Sequence, residues 1–538
     1  MLNEPTSYDR LREEFTWELP GELNIATLCA DRHPPRDVAL IDITDEGQRA
    51  EYTFGQLSDC SRRLANALRE RMGIDEGDRV GIVLPQCLEV GLTHLAVFRL
   101  GAVALPLSGL FGPDALAYRL GDSEAKAVIT DGAHLELVAE VAAQTDTKVI
   151  CIDHAARPHE RFWDLISRAE TSIDTAAMAP DSPALLIYTS GTTGSAKGAL
   201  HGQRVLHGHL PGFELSHNFF GQEDDRFWTP ADWAWIGGLL DGLLPSWYHG
   251  RPVVASRRPK FDPEWALDLI STERVRNTFL PPTALKMIRQ AHLHRPDCGL
   301  RTIACGGETL GDELLSWTAD NLGVGINEFY GQTEANLLVG NCSAVFQVRP
   351  GSMGRPYPGH EVTILDDVGD QAASGEIGQI AVRSDDPVAF LRYWNKPVET
   401  EAKYTQDRRW LLTGDLASRD EDGYIWYSSR DDDVINSGGY RIGPAEIEGC
   451  LMHHPAVTMA AVVGVPDPVR GEAVKAFIQL GDPAARSPEL ESEIQAMVKT
   501  RLAAYLYPRQ VEFVTELPMT TTGKVQRAEL RRREAGSR

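Results

Sequence analysis

Residues 189–198 read TSGTTGSAKG: seven consecutive Ser, Thr or Gly residues, then a lysine two positions on. Successive backbone N–H groups in a Gly-rich turn form an anion cradle, and hydroxyls add donors. Lys197 contributes one positive charge, so a polyphosphate is the natural guest. The spacing is not that of a kinase-type phosphate loop, GxxxxGK[ST]. Here Lys197 falls three residues after Gly194, and Gly198 follows it. A second candidate is Lys524, which closes PMTTTGK (518–524), a Gly-containing loop able to carry a charge into a distant site. Other chemistry-bearing residues have weaker patterns. The 8 Cys form no CxxC pair and no zinc spacing, which suits scattered reduced thiols. His201, His207 and His209 match no metal motif and are read as structural. None of the 15 His pairs with a nucleophilic Ser or Cys.

The elements that must position these groups alternate between strand and helix. VALIDI (38–43), RVGIVLP (79–85), AVALPL (102–107) and KVICID (148–153) read as buried strands. Between the first two, Thr53 and Gln56 have capping-box spacing. Phe54, Leu57, Leu64 and Leu68 share a helical face, and Gly73 can end the helix. Strand–helix alternation predicts an α/β fold with parallel sheets. Further strands are expected at 253–255, 278–280 and 302–306. Residues 350–428 look like short strands joined by Gly/Asp turns, a small β-barrel or sheet. After Arg430 the pattern is that of a small α+β domain, with helices in EIEGCLMHHPAV and SEIQAMVKTRLAAYL and strands in AAVVGVPD and KAFIQL. The expected organisation is a large N-terminal domain, 1–429, of two parallel-type α/β subdomains plus the small β-barrel, and a mobile C-terminal domain, 430–538.

A chain of 538 residues is too long for one core. Its net charge of −24 makes nucleic-acid backbones and anionic membranes poor partners. The N-terminus lacks an apolar signal core, and no apolar run approaches the ~20 residues of a membrane span. A cytoplasmic protein is expected.

YTSGTTGSAKGA resembles the phosphate loop of the adenylate-forming (AMP-binding) enzymes, which include acyl-CoA synthetases. Five further landmarks follow in that superfamily's order: CGGETL (305–310), EFYGQTEAN (328–336), LLTGDLA (411–417), SRDDDVINSGGYRIGPAEIE (429–448) and LPMTTTGKVQR (517–527). The resemblance implies attack of a carboxylate on the α-phosphate of ATP, giving an acyl-adenylate and pyrophosphate, then transfer of the acyl group to a thiol. Two anions must meet, so charge neutralisation is the main demand on the protein.

By that resemblance, Thr189, Ser190, Gly191, Thr192, Thr193, Gly194 and Lys197 belong to the loop around the β- and γ-phosphates. Thr333 donates to the α-phosphate and Glu334 holds Mg²⁺. Tyr330 offers adenine a flat face, with Gly306, Gly307 and Glu308 opposite, and Glu328 and Gly331 belong to the same nucleotide site. Asp415 accepts the ribose hydroxyls, and Arg430 and Arg441 reach the ribose and phosphates. Lys524 meets the carboxylate and α-phosphate as charge develops. Asp432 matches the hinge about which the small domain turns between half-reactions, and Gly438 and Gly439 let the pantetheine arm of CoA pass close to the backbone. Ser429 stands where the family commonly has Gly, and Asp431 adds an acid at the hinge.

The segment FWTPADWAWIGGLLDGLLPSWYHG (227–250) resembles the acyl-pocket segment of medium-chain and acetyl-type acyl-CoA synthetases. There Trp235 matches a pocket wall, and Gly331 stands where acetate-specific members carry Trp. Leu337 lines the same pocket. The implied substrate is a short or medium-chain, branched, thioether-bearing or aromatic carboxylic acid, with ATP, Mg²⁺ and coenzyme A. The chain ends 14 residues after Lys524 without a carrier domain, which favours free CoA. The competing readings are an acyl-AMP ligase loading a separate carrier protein and a non-catalytic nucleotide-binding protein. A homodimer is expected by resemblance, and Lys524 is a target for a lysine acyltransferase that would switch the enzyme off.

Overall fold

The computed structural model describes residues 2, 7–153, 159–189, 196–258, 260–307, 310, 312–366, 368–430, 435–518, 525 and 527–536. Packing divides the chain into two compact units. The first holds Met1–Gly109, Leu120–Ile187 and Gly198–Ser429, and the second holds Leu110–Arg119, Tyr188–Lys197 and Arg430–Arg538.

Among the described residues the backbone forms four sheets. In a nine-stranded sheet, Val38–Ile43, Val253–Ser256, Phe227–Trp228, Asn277–Phe279, Thr302–Gly306 and Ile326–Gln332 run parallel as neighbours. An eight-stranded sheet is built around Arg79–Val83, flanked by Val103–Pro106 and Ala127–Thr130, also parallel. Its apolar strands are buried along nearly their whole length, as sheets covered on both faces require.

The capping box forms: Thr53 Oγ1 accepts from Gln56 N at 3.3 Å while Gln56 Oε1 accepts from Thr53 N at 2.8 Å. Phe54, Leu57, Leu64 and Leu68 are all buried, and Gly73 closes the helical run with φ 68°. That helix does not close a strand–helix–strand unit within one sheet. Val38–Ile43 and Arg79–Val83 lie in different sheets, so the helix is the link between them. Arg49–Thr53 pairs antiparallel with Val38–Ile43, an edge strand whose polar sequence carries no alternation signal.

Val362–Leu365, Gly378–Arg383, Trp410–Arg419 and Ile425–Arg430 form a four-stranded half-barrel, antiparallel across its first two pairings. Trp410–Arg419 alternates between buried and half-buried residues, one face on the core. In the second unit, Val457–Asp467 and Gly471–Leu480 form a long hairpin beside the helices Pro444–Leu451 and Pro488–Arg501. Both helices start earlier and end sooner than their apolar patterns suggest. The first ends before His453-His454-Pro455, because proline opposes helix in the residue before it.

Candidate active site

The site is built on one hairpin of the first unit. Strands Ile326–Gln332 and Ala335–Gly340 pair antiparallel, and Thr333 and Glu334 form the turn between them. The turn therefore holds both residues at the end of a buried sheet rather than on a free loop. Glu334 is buried, its carbonyl accepts from Phe390 N at 2.9 Å, and its Oε1 accepts from Tyr393 Oη at 2.5 Å. Tyr393 in turn pairs with Ala199 on the strand Lys197–Gly202. A carboxylate oxygen fixed in this way is a hard, oriented ligand of the kind Mg²⁺ takes alongside phosphate oxygens.

Tyr330 and Asp415, expected to serve adenine and ribose, are brought together directly. Tyr330 Oη donates to Asp415 Oδ2 at 2.6 Å, and Gln332 Nε2 approaches the same oxygen at 3.3 Å. Burial, with the neighbouring Asp415 charge, pushes the Tyr330 hydroxyl well above its ordinary range, so it remains a donor. Gln332 also donates to the Thr413 carbonyl at 3.0 Å, an oxygen shared with Lys403 Nζ at 3.0 Å. This bracing set of Gln332, Tyr393 and Lys403 escapes sequence reading. Tyr393 lies 59 residues from Glu334 and Gln332 lies 81 from Thr413, with no local spacing to mark either.

Gly306 ends the strand Thr302–Gly306, and a Cβ there would fall 2.8 Å from the Phe329 ring. Gly307 adopts φ 95° with open space around its missing side chain, so bare backbone is offered at this position. Glu328 acts from behind. It is buried, its Oε1 accepts from Leu310 N at 3.3 Å, and burial pushes its carboxyl up to about 8. It holds the Leu310 backbone as a neutral acid.

In the segment 227–250, Trp228, Trp233 and Trp247 are core residues, whereas Trp235 is half-buried at the start of the short helix Ile236–Gly238. Gly331 has a tighter role than leaving room. A Cβ there would fall 2.3 Å from Asn336 Oδ1 and 2.5 Å from Leu337 N, so the opposite strand of its own hairpin occupies that space. Leu337 is fully buried and takes φ 50°, the left-handed region that a bulky residue seldom adopts.

The remaining expected residues belong to other elements or lie outside the described residues. Thr189 ends the strand Pro183–Thr189 and Lys197 begins the adjacent strand Lys197–Gly202, with Thr189 Oγ1 3.4 Å from the Lys197 carbonyl. Gly438 and Gly439 turn the hairpin between Ile435–Ser437 and Tyr440–Ile442 with φ 60° and 82°, as a tight two-residue turn demands. Ser190, Gly191, Thr192, Thr193, Gly194, Glu308, Asp432 and Lys524, and the side chains of Arg430 and Arg441, lie outside the described residues. His201, His207 and His209 are buried, and desolvation lowers them to about 4, 4 and 3, so they are neutral.

The parallel α/β body and the half-barrel sheet match the architecture of acyl-CoA synthetases and other adenylate-forming enzymes. Residues 28–394 match the family described as AMP-binding enzyme, and residues 446–524 match the AMP-binding enzyme C-terminal domain. The chain is 36% identical over 537 residues to the mitochondrial acyl-coenzyme A synthetase ACSM4 of Rattus norvegicus, covering 96% of this chain and 92% of that protein. It is 33% identical over 557 residues to the acetyl-coenzyme A synthetase of Bacillus subtilis (strain 168), covering 98% and 94%. The crystal structure of Brucella canis acyl-CoA synthetase superposes with a TM-score of 0.74 at 33% identity, over 99% of this chain and all of that one. The chain belongs to the AMP-binding enzyme family and is an AMP-forming acyl-CoA synthetase, an acid–CoA ligase of a family that uses ATP, Mg²⁺ and CoA. Among the described residues no helix is long and apolar enough to cross a membrane.

Proposed function

We propose that this ligase activates a short or medium-chain, branched, thioether-bearing or aromatic carboxylic acid, and passes it from acyl-adenylate to free CoA in the cytoplasm. The half-buried position of Trp235, beside three tryptophans sunk in the core, is the observation that supports a pocket of limited depth. In the first step a carboxylate oxygen bonds to the α-phosphorus, the α–β bridge breaks and pyrophosphate leaves. Thr333 donates to the α-phosphate, and Asp415, braced by Tyr330 and Gln332, takes the ribose hydroxyls. Glu334, anchored by Tyr393, would hold Mg²⁺, which offsets phosphate charge. Residues 189–198 wrap the outer phosphates, Arg430 and Arg441 reach the nucleotide, and Lys524 neutralises the charge that builds between the two anions. In the second step the CoA thiol attacks the acyl carbonyl and AMP leaves. We assign 1–429 to the nucleotide and acyl site and 430–538 to a domain turning near Asp432, with Gly438 and Gly439 along the thiol path. A homodimer and acylation of Lys524 by a lysine acyltransferase complete the proposal.

The test is pyrophosphate release with ATP and Mg²⁺ over acids from acetate to decanoate, with branched, thioether and aromatic members, each with and without CoA. The expected products are AMP and acyl-CoA, with a maximum between propionate and octanoate or at an aromatic acid. An adenylate that CoA cannot discharge would replace CoA by a carrier protein. No release with any acid, together with ATP binding, would overturn turnover.

A further inference from the structure

The acyl-pocket segment carries an acid where its neighbours are all apolar. Asp241 sits among Leu239, Leu240, Leu243 and Leu244, each fully buried, and is itself only 3% exposed. The chain kinks there, with φ −103° and ψ 18° inside an otherwise helical turn. A carboxyl in such surroundings costs several kcal/mol unless it is paired or neutralised. Its Oδ1 accepts from Asn336 Nδ2 at 2.6 Å. Among the described residues, Oδ2 has no hydrogen-bond partner and no cation faces the group. Oδ2 looks instead toward Gly237, two residues after Trp235. A Cβ at Gly237 would stand 3.7 Å from Oδ2 and 3.1 Å from the Phe279 ring. Asn336 is the same residue whose Oδ1 closes over Gly331, and it precedes Leu337. The Asp241–Asn336 pair thus ties together the stretches holding Trp235, Gly331 and Leu337.

We infer that Asp241 reads a hydrogen-bond donor, a hydroxyl or amino group, carried by the acid substrate at a distance from its carboxylate. This rests on the assignment of the Trp235 segment to the acyl pocket. An alkyl acid would leave Oδ2 without a partner on either the protein or the ligand, whereas a hydroxyl or ammonium group would supply one. Discrimination of this kind is large, because the unsuited ligand strands a polar group of the protein. Burial pushes the Asp241 carboxyl well above its usual range, and a donor from the ligand would take the place of the proton the carboxyl otherwise keeps.

The experiment measures kcat/KM for pyrophosphate release in matched sets: butyrate to hexanoate with their ω-hydroxy and ω-amino forms, and phenylacetate with its 4-hydroxy and 4-amino forms. The expected result is at least about a 10-fold preference of the wild type for a donor-bearing acid over its parent. Asp241→Leu, similar in size, should bring that ratio to one or below. Asp241→Asn should keep a hydroxyl preference and lose an amino preference, separating the two donors in a variant that preserves shape. A purely structural Asp241 would lower every acid alike and leave the ratio unchanged, which overturns the inference. So does a wild type that prefers the parent acid in every set. Release with no acid at all would instead overturn the ligase reading on which the inference stands.

Discussion

At the residue scale, the chemistry of this site depends on where charge is allowed. Glu328 shows it most clearly. Its ordinary value of 4.5 is raised to about 8 by burial. An acid raised in the folded state stays protonated there while the unfolded chain releases its proton. Native stability from this group is therefore full below pH 4.5 and is lost as pH rises from 4.5 toward 8. The loss runs at up to about 1.4 kcal/mol per pH unit. Glu328→Gln keeps the acceptor for Leu310 N without the titration. Denaturant unfolding at several pH values should show the variant gaining on the wild type between pH 5 and 8. A constant difference would mean that Glu328 ionises freely in the folded protein. At the other extreme, Lys524 is expected to work through its charge alone. Lys524→Ala should slow adenylation on the order of 100-fold or more while sparing thioester formation from supplied acyl-adenylate. Equal losses in the two half-reactions would remove Lys524 from the first.

At the scale of elements, the hairpin Ile326–Gln332 and Ala335–Gly340 and the strand Trp410–Arg419 do most of the positioning. The strand interiors are buried, so their register is set by which face meets the core. Thr333, Glu334 and Asp415 inherit that precision. The segment 227–250, which we assign to the acyl pocket, is built differently, on a broken helix. Trp235 stands at the entry to Ile236–Gly238 and the kink follows at Asp241. If Trp235 walls the pocket, Trp235→Ala should shift the best substrate to longer acids. Each methylene newly accommodated should change relative kcat/KM by about 10-fold or more. A chain-length profile unchanged from wild type would return Trp235 to the core.

For the whole molecule, the two half-reactions set conflicting demands, since a lysine needed near the α-phosphate would obstruct an incoming thiol. The hinge we propose near Asp432, between 1–429 and 430–538, would resolve the conflict. Asp432→Pro fixes φ near about −65° and should leave adenylation largely intact while blocking transfer to CoA. Single-turnover assays of each half-reaction separate the outcomes, and a parallel fall in both would discard the hinge at this position.

Much of this was legible before any coordinates. The ordered family motifs and the Gly438-Gly439 turn declare themselves because they are local runs of residues. The capping box at Thr53 and the buried strands do so because side-chain periodicity reports which face meets water. Local pattern could not say that Val38–Ile43 and Arg79–Val83 join different sheets, since the helix between them reads the same either way. Nor could it pair Tyr393 with Glu334, Tyr330 with Asp415 or Asn336 with Asp241, which lie 59, 85 and 95 residues apart. Those contacts are chosen by burial. Folding removes each polar group from water, and its partner is whichever side chain the sheets bring within hydrogen-bond reach. The same closure fills the space above Gly331 with Asn336 and Leu337. The sequence alone determined the reaction family through its ordered loops, and tertiary packing decided which distant side chains brace Glu334 and Asp415 and set Asp241 against Asn336.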